Sequence, residues 1–238
     1  MTDRLDPNLV LGAYAVGVFP MADARDAPSV YSVEPRRRAI LPLDGFHLGH
    51  SLRRTVAADR FRVTADRAFP AIIRLCAESA EDRPDTWING PIEQVFLDLH
   101  ARGFAHSVEC WDGERLVGGL YGLALGRAFF GESMVSRATD ASKVALAWLV
   151  ARLKAGGFTL LDCQFQTPHL ATLGAVEVDR ADYLAALSAA LVGVLGVAAG
   201  AATVPGDWTA LDRAGADSRS VSGPVAGKDI VQLLVQTS

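Results

Sequence analysis

The pattern of apolar and polar positions predicts that the second half of the chain is a sheet covered by helices. Apolar residues dominate 106–111, 115–125 and 127–135, and the Asp112-Gly113 pair between the first two runs is typical of a tight hairpin. Three antiparallel strands are therefore predicted. Asp140 can then cap a helix that ends at Gly156-Gly157, and the run 158–162 predicts a buried strand.

The first half of the chain carries weaker signals. They predict helices over 9–16 and 67–78, short strands over 39–41 and 61–64, and a helix that begins at Asn89. The polar loop 79–86 contains Pro84 and marks the predicted domain boundary. We expect a small N-terminal domain (1–80), an acyltransferase-like domain (81–200) and a C-terminal tail (201–238).

Polar side chains gather near the ends of two predicted strands. Asp162 and Gln164 are two residues apart, so a strand points them to the same side of the sheet. Glu132 follows an apolar run in the neighbouring strand. The sequence therefore predicts that two carboxylates and one carboxamide converge at one mouth.

Ordered motifs along about three-quarters of the chain resemble those of the leucyl/phenylalanyl-tRNA-protein transferases. Several motifs in compatible order are far more specific than one short match. They are LGAYAVGVFPM (11–21), ILPLDGFH (40–47), SLRR (51–54), TWIN (86–89), LVGGLYG (116–122), FFGESMVSR (129–137), DASK (140–143), LLDCQ (160–164) and LGAVEVDRADYL (173–184).

The resemblance implies an activity and a fold. This family moves Leu, Phe or, less well, Met from a charged tRNA to the N-terminal amine of a protein that begins with Arg or Lys, which marks that protein for degradation by the N-end rule pathway. The implied fold is α/β (α+β), with a C-terminal domain like that of the acetyl-coenzyme A dependent N-acetyltransferases: a mixed, largely antiparallel sheet covered by helices.

No cofactor is expected. The acetyltransferases hold a pyrophosphate on the bare amides of a glycine-rich loop before a helix. The corresponding segment here, 136–142, has no glycine and carries Asp140, so coenzyme A is not expected to bind.

The resemblance also implies roles for the polar residues. Asp162 and Gln164 are expected to contact the attacking amine and the reacting centre. Asp162 either accepts the amine proton or orients Gln164, which can both donate and accept hydrogen bonds, and the identity of any base stays open. Glu132 pairs with the acceptor's α-ammonium or basic side chain, or is a structural hydrogen-bonding group.

An apolar pocket for the aminoacyl side chain is implied as well. Without the resemblance, each of its residues is an ordinary core residue. The matching positions are Leu120, Phe129, Met134, Leu146 and Leu149, and Val135 stands where the family usually has Phe.

The tRNA contacts implied by the resemblance lie in the N-terminal domain. Tyr31 stacks on the terminal adenine or packs between the domains. Arg53 and Arg54, and more weakly residues 36–38, hold phosphates. Gly49-His50 stands where relatives usually have a small residue and Arg, so one phosphate contact is weakened or supplied by His50.

Charge and composition agree with a tRNA partner. The net charge is −4, but residues 36–74 contain nine Arg and three Asp. Such a segment attracts phosphate, although a solvated arginine-rich surface has the same composition.

Three cysteines without CxxC spacing, and no secretion signal, predict a cytosolic protein. Residues 183–206 carry no charge, yet their many Ala and Gly favour a packed helix over a membrane span.

Rival interpretations are open at this point. Cys163 with His106 or His169 could act as a thiol nucleophile, and His47 with His50 could bind a metal. The chain could also use another small acyl donor, or bind tRNA without catalysis.

Overall fold

The computed structural model describes residues 4–78, 86–192, 204–217 and 225–235. Within these residues, seven strands form one sheet in the order β4-β5-β6-β7-β8-β3-β9, and β1 and β2 form a separate pair. The strands are β1 Phe19–Met21, β2 Tyr31–Val33, β3 Arg37–Ile40, β4 Arg62–Ala65, β5 Ala105–Asp112, β6 Arg115–Leu125, β7 Ala128–Ser136, β8 Leu160–Gln164 and β9 Val176–Asp179. The helices are α1 Pro7–Ala15, α2 His50–Ala57, α3 Phe69–Ala77, α4 Gly90–Ala101, α5 Ala141–Ala155, α6 Pro168–Thr172, α7 Arg180–Leu191, α8 Ala210–Asp217 and α9 Gly227–Val235, with a short 3-10 helix at Leu43–Gly45.

The predicted meander is confirmed. β5, β6 and β7 pair in antiparallel register, and the Asp112-Gly113 hairpin joins the first two. β7 and β8 pair in parallel over residues 128–130 and 160–162. The fold is therefore the predicted mixed α/β arrangement with a largely antiparallel sheet. β3 and β4 come from the predicted N-terminal domain but join this same sheet, and the domain limits stay a prediction.

The sheet separates two apolar cores. One core packs α2, α5, α8 and α9 against one face, and the other packs α1, α3, α4 and α7. The α5 helix is buried along most of its length, so it has no strongly polar side. Residues from both cores reach the region where β7 and β8 stop pairing.

Of the two helix caps predicted from the sequence, one is confirmed and the other is wrong. Asn89 caps α4 as predicted, because its side chain accepts a hydrogen bond from the Ile92 amide at 3.1 Å. Asp140 does not cap α5: it adopts a left-handed conformation (φ 67°) and its carboxylate accepts from Lys143 Nζ at 2.9 Å. The Ser136 hydroxyl instead accepts from the amide of Ser142 in the first turn.

Among the described residues, no helix combines the length and the apolar character that crossing a membrane requires. The uncharged stretch begins in α7, which ends at Leu191. Residues 193–203 of that stretch lie outside the described ranges.

Candidate active site

An apolar cavity of about 330 Å³ opens beside the point where β7 and β8 separate. Four of the predicted pocket residues line it, namely Leu120, Met134, Leu146 and Leu149. The other lining residues that matter here are Phe19, Met21, Trp87, Glu132, Leu161, Cys163, Gln164, Phe165 and His169. Two polar side chains from the sheet thus meet a mostly apolar wall.

Phe129 does not line this cavity. Its side chain is fully buried, and its ring stacks on Trp208 with 5.5 Å between centroids. It also fills the space above Gly122, where a Cβ would lie 2.4 Å from the Phe129 ring and 2.2 Å from the Phe130 carbonyl oxygen. Val135, at the position that departs from the family, is buried in the core on the α3 and α4 side.

A β-bulge places Glu132. Gly131 pairs with Gly122 and Ser133 pairs with Tyr121, so Glu132 is the extra residue on β7. A bulge interrupts the alternation of a strand and can redirect a side chain, often beside an active site. The bulge explains how Glu132 reaches the cavity from the middle of a strand rather than from its end.

The two carboxylate oxygens of Glu132 have different surroundings. Oε1 accepts a hydrogen bond from Gln164 Nε2 at 2.9 Å, whereas Oε2 is buried without a hydrogen-bond partner among the described residues. Burial raises the pKa of Glu132 to about 8; the Tyr14 hydroxyl opposes the rise, and the Asp162 charge adds to it. The carboxyl group therefore titrates near neutral pH.

Gln164 ends β8 in a left-handed backbone conformation, with φ at 55°. This region is uncommon for residues other than glycine and costs energy. The Gln164 amide donates to Asp162 Oδ1 at 2.8 Å, which holds the turn in place. The carboxamide donates to Glu132, and no described residue bonds to its carbonyl oxygen, which remains available to a ligand.

Asp162 lies under the cavity and does not line it. Its carboxylate is fully buried and accepts from Arg38 Nη2 at 2.7 Å, from Arg38 Nε and from the Tyr183 hydroxyl at 2.8 Å. The Arg38 guanidinium lies between the rings of Phe19 and Tyr183, 4.6 and 4.7 Å from their centroids. The Asp162 carboxylate is thus fully occupied by protein groups, one of which is the backbone amide of Gln164.

The arginines predicted to bind tRNA phosphates differ in burial and in pairing. Arg38 is 1% exposed and bound to Asp162, so it cannot hold a phosphate. Arg37 pairs with Glu177 and Asp179 at the surface. Arg53 and Arg54 are exposed on α2, where the buried faces of Leu52 and Val56 fix the helix.

Tyr31 lies beside the main cavity. It is 44% exposed and lines a hollow of about 260 Å³ together with Met21 and Trp87. Met21 and Trp87 also line the main cavity, so the two spaces adjoin. The arrangement presents an open aromatic face next to the apolar pocket.

Among the described residues, the rival candidates for a thiol nucleophile or a metal site have unfavourable surroundings. Burial raises the pKa of Cys163 to about 12, which keeps the thiol protonated and disfavours it as a nucleophile. His106 is engaged elsewhere, bonded to Asp66 at 2.8 Å and stacked on Trp208. His169 does line the cavity with Cys163. Over the described ranges, no group of three or more His, Cys, Asp or Glu is placed to hold a metal ion.

Sequence analysis did not single out Tyr14, Arg38 or Tyr183 as parts of this polar cluster. Arg38 and Asp162 are 124 positions apart in the chain, so no local pattern connects them. The available signal was a tyrosine inside an otherwise apolar helix, at Tyr14, and another in the apolar part of α7. A buried hydroxyl needs a polar neighbour, and both tyrosines face the carboxylates.

Comparison with known proteins identifies the family. The family model described as leucyl/phenylalanyl-tRNA protein transferase matches residues 40–188. Three curated proteins that carry this name are similar along most of their length. The protein from Rhizorhabdus wittichii is 60% identical, covering 98% of this chain and 99% of the relative. The protein from Zymomonas mobilis is 58% identical (90% and 78%), and that from Phenylobacterium zucineum is 52% identical (99% and 99%).

One solved structure, that of L-PGS from Bacillus licheniformis, matches with 14% identity and a TM-score of 0.37, covering 71% of this chain and 55% of that one. A likeness of this size carries no conclusion about function. The sequence relationships are sufficient without it: the chain belongs to the leucyl/phenylalanyl-tRNA protein transferase family of aminoacyltransferases.

Proposed function

We propose that this protein moves Leu or Phe, and less efficiently Met, from aminoacyl-tRNA to the N-terminal α-amine of proteins that begin with Arg or Lys. The product would be marked for degradation by the N-end rule pathway, in the cytosol where charged tRNA is found. The observation that carries the proposal is the apolar cavity with Glu132 and Gln164 on its wall.

The cavity suits an apolar side chain that is not branched at Cβ, such as that of Leu, Phe or Met. Its volume of about 330 Å³ is at the lower end of small-ligand sites, which span roughly 300–1,000 Å³. Leu120, Leu146 and Leu149 offer apolar surface without a polar partner for a hydroxyl or a charge. An apolar pocket separates single methylene groups only weakly, which fits mixed use of Leu, Phe and Met.

The polar wall supports attack by an amine on an activated ester. An α-amine has a pKa of about 7.7–8.0, so a substantial neutral fraction exists near neutral pH. Holding the amine and the ester together can supply much of the acceleration. Gln164 offers a carbonyl oxygen to the amine, Glu132 attracts its positive charge, and Asp162 keeps Gln164 in its turn.

The tRNA end is proposed to follow the adjoining hollow. Tyr31 stacks on the terminal adenine while the esterified amino acid enters the main cavity past Met21 and Trp87. Arg53 and Arg54 bind phosphates farther along the acceptor strand. His50 begins the same helix and is proposed to assist them.

A transfer assay tests the proposal. The protein is incubated with radiolabelled Leu-tRNA and a casein-like acceptor that begins with Arg, with and without ribonuclease. Label should enter the acceptor only when ribonuclease is absent, because the donor is then intact. Release of label as free leucine would indicate a hydrolase, transfer from a small thioester donor would indicate another acyltransferase, and binding without transfer would indicate a tRNA-binding protein.

A further inference from the structure

Two buried polar atoms beside the cavity have no hydrogen-bond partner among the described residues: Glu132 Oε2 and the Tyr14 hydroxyl. Tyr14 is fully buried and Glu132 is 8% exposed. A buried polar group left unsatisfied costs about 1–3 kcal/mol, and such a group in a native structure calls for an explanation. Here two unsatisfied groups on different elements, α1 and β7, face one another.

The Tyr14 hydroxyl and the Glu132 carboxylate are close neighbours. Tyr14 acts on the pKa of Glu132, and Glu132 raises the pKa of Tyr14. The hydroxyl thus acts on the carboxylate as a hydrogen-bonding neighbour, but no well-aligned hydrogen bond satisfies either the hydroxyl or Oε2. A ligand that donates hydrogen bonds could satisfy these buried oxygens. Of the two residues, Glu132 is the one that lines the cavity.

We propose that Glu132 Oε2 is the proton acceptor for the incoming α-ammonium and that Tyr14 is a positioning residue that holds this oxygen ready. This inference rests on the proposed transfer function and adds a role that neither Gln164 nor Asp162 can fill. A carboxamide such as Gln164 is not a base at neutral pH. The Asp162 carboxylate is already bonded to Arg38, Tyr183 and the Gln164 amide.

Glu132 takes one proton from the acceptor ammonium, and the neutral nitrogen attacks the ester carbonyl carbon. The carbon–nitrogen bond forms, the carbon–oxygen bond to the tRNA ribose breaks, and the ribose oxygen leaves with the electron pair and takes the second proton from nitrogen. Glu132 then returns its proton to solvent.

Proton transfer is efficient when donor and acceptor have similar pKa values near the working pH. Burial brings the pKa of Glu132 to about 8, close to that of an α-amine at about 7.7–8.0. The titratable and charged groups that face Glu132 are Tyr14 from α1, Arg38 from β3, Asp162 from β8 and Tyr183 from α7. Burial raises the pKa of Tyr183 well above neutral, and Arg38 keeps its charge, whereas burial brings the pKa of Glu132 into the neutral range.

The test compares Glu132→Gln, Tyr14→Phe and wild type in single-turnover transfer from saturating Leu-tRNA between pH 6 and 9.5. Two acceptor peptides are used: one begins with Arg and a normal α-amine, and the other has an aminooxy group in place of that amine, which is uncharged at pH 7. Glu132→Gln should lose about 100-fold or more with the amine and far less with the aminooxy peptide, because the aminooxy nitrogen is already neutral before it attacks. Equal losses with both peptides would overturn the proposal.

Tyr14→Phe should keep the plateau of the pH profile but move its rise to higher pH, since the hydroxyl that lowers the pKa of Glu132 is removed. An unchanged rise would remove Tyr14 from the proposal.

Glu109→Gln is the matched control, because Glu109 is also fully buried but bonds to Ser107 and Thr64 and does not line the cavity. The transfer rate of this control should rise over the same pH range as that of wild type. Thermal melting checks that each variant is folded. Failure of wild type with both peptides would instead count against the transfer function itself.

Discussion

Two buried carboxylates on neighbouring strands, Asp162 on β8 and Glu132 on β7, have opposite surroundings. Asp162 is saturated by Arg38, Tyr183 and the Gln164 amide, and it lies beneath the cavity. Glu132 is paired on one oxygen only, and its other oxygen is left without a partner at the cavity wall. The saturated carboxylate stabilises the site, whereas the incompletely bonded one has an oxygen to offer to the substrate in the mechanism that we propose.

The largest expected effect is on stability, at the saturated carboxylate. Arg38→Ala leaves the buried Asp162 charge without its cation, which should lower the free energy of unfolding by about 3–5 kcal/mol. Arg37→Ala is the matched control, because Arg37 is the preceding residue and its ion pairs are exposed. The control should lose at most about 1 kcal/mol. Denaturant titration measures both variants, and equal losses would show that the Arg38 pair is not special.

The next effect concerns the pH dependence of stability. Burial raises the pKa of Glu132 from 4.5 to about 8, so between these values the folded protein holds a proton that the unfolded chain has released. Stability contributed by that proton is present at low pH and is lost as pH rises through the folded pKa. Glu132→Gln lacks this loss. Its unfolding free energy relative to wild type should therefore increase from pH 5 to pH 8, by roughly 3–4 kcal/mol. A constant difference across this range in denaturant titrations would contradict the raised pKa.

A smaller effect is expected at the hollow beside the cavity. Tyr31→Ala should weaken binding of the aminoacyl-adenosine end by roughly 1–3 kcal/mol through lost stacking. Because Tyr31 is 44% exposed, its removal should leave the melting temperature nearly unchanged. Binding of a short aminoacylated acceptor-stem mimic, measured by titration, checks the first statement. Unchanged affinity would place the adenine elsewhere.

The smallest change is expected from variants of α2, in the salt dependence of tRNA binding. Replacing Arg53 and Arg54 together by Ala should flatten the dependence of tRNA affinity on salt, because each lost phosphate contact reduces the logarithmic slope by roughly 0.7–0.9. Arg37→Ala again serves as the control, since its charge is already paired with Glu177 and Asp179. A slope that does not change would move the phosphate-binding surface away from α2.

The sequence predicts the sheet well and the site only in part. Asp-Gly turns, apolar runs and the Asn89 cap are local signals, and the meander and α4 follow them. The bulge at Glu132 and the left-handed turn at Gln164 are not visible locally, because each depends on partners in other strands. For the same reason, Phe129 matches a pocket position but packs on Trp208 from the distant tail, which the pattern of one strand cannot reveal.

Asp162→Asn and Glu132→Gln, measured side by side for unfolding and for transfer, distinguish a structural carboxylate from a reactive one. Asp162→Asn should lose about 3–5 kcal/mol of stability, because it leaves the Arg38 charge buried without an anion. Glu132→Gln should stay as stable as wild type at pH 7 and transfer Leu to the amine acceptor about 100-fold more slowly. A Glu132→Gln variant that transfers at the wild-type rate, or that unfolds as readily as Asp162→Asn, would show that the two carboxylates do not differ in this way.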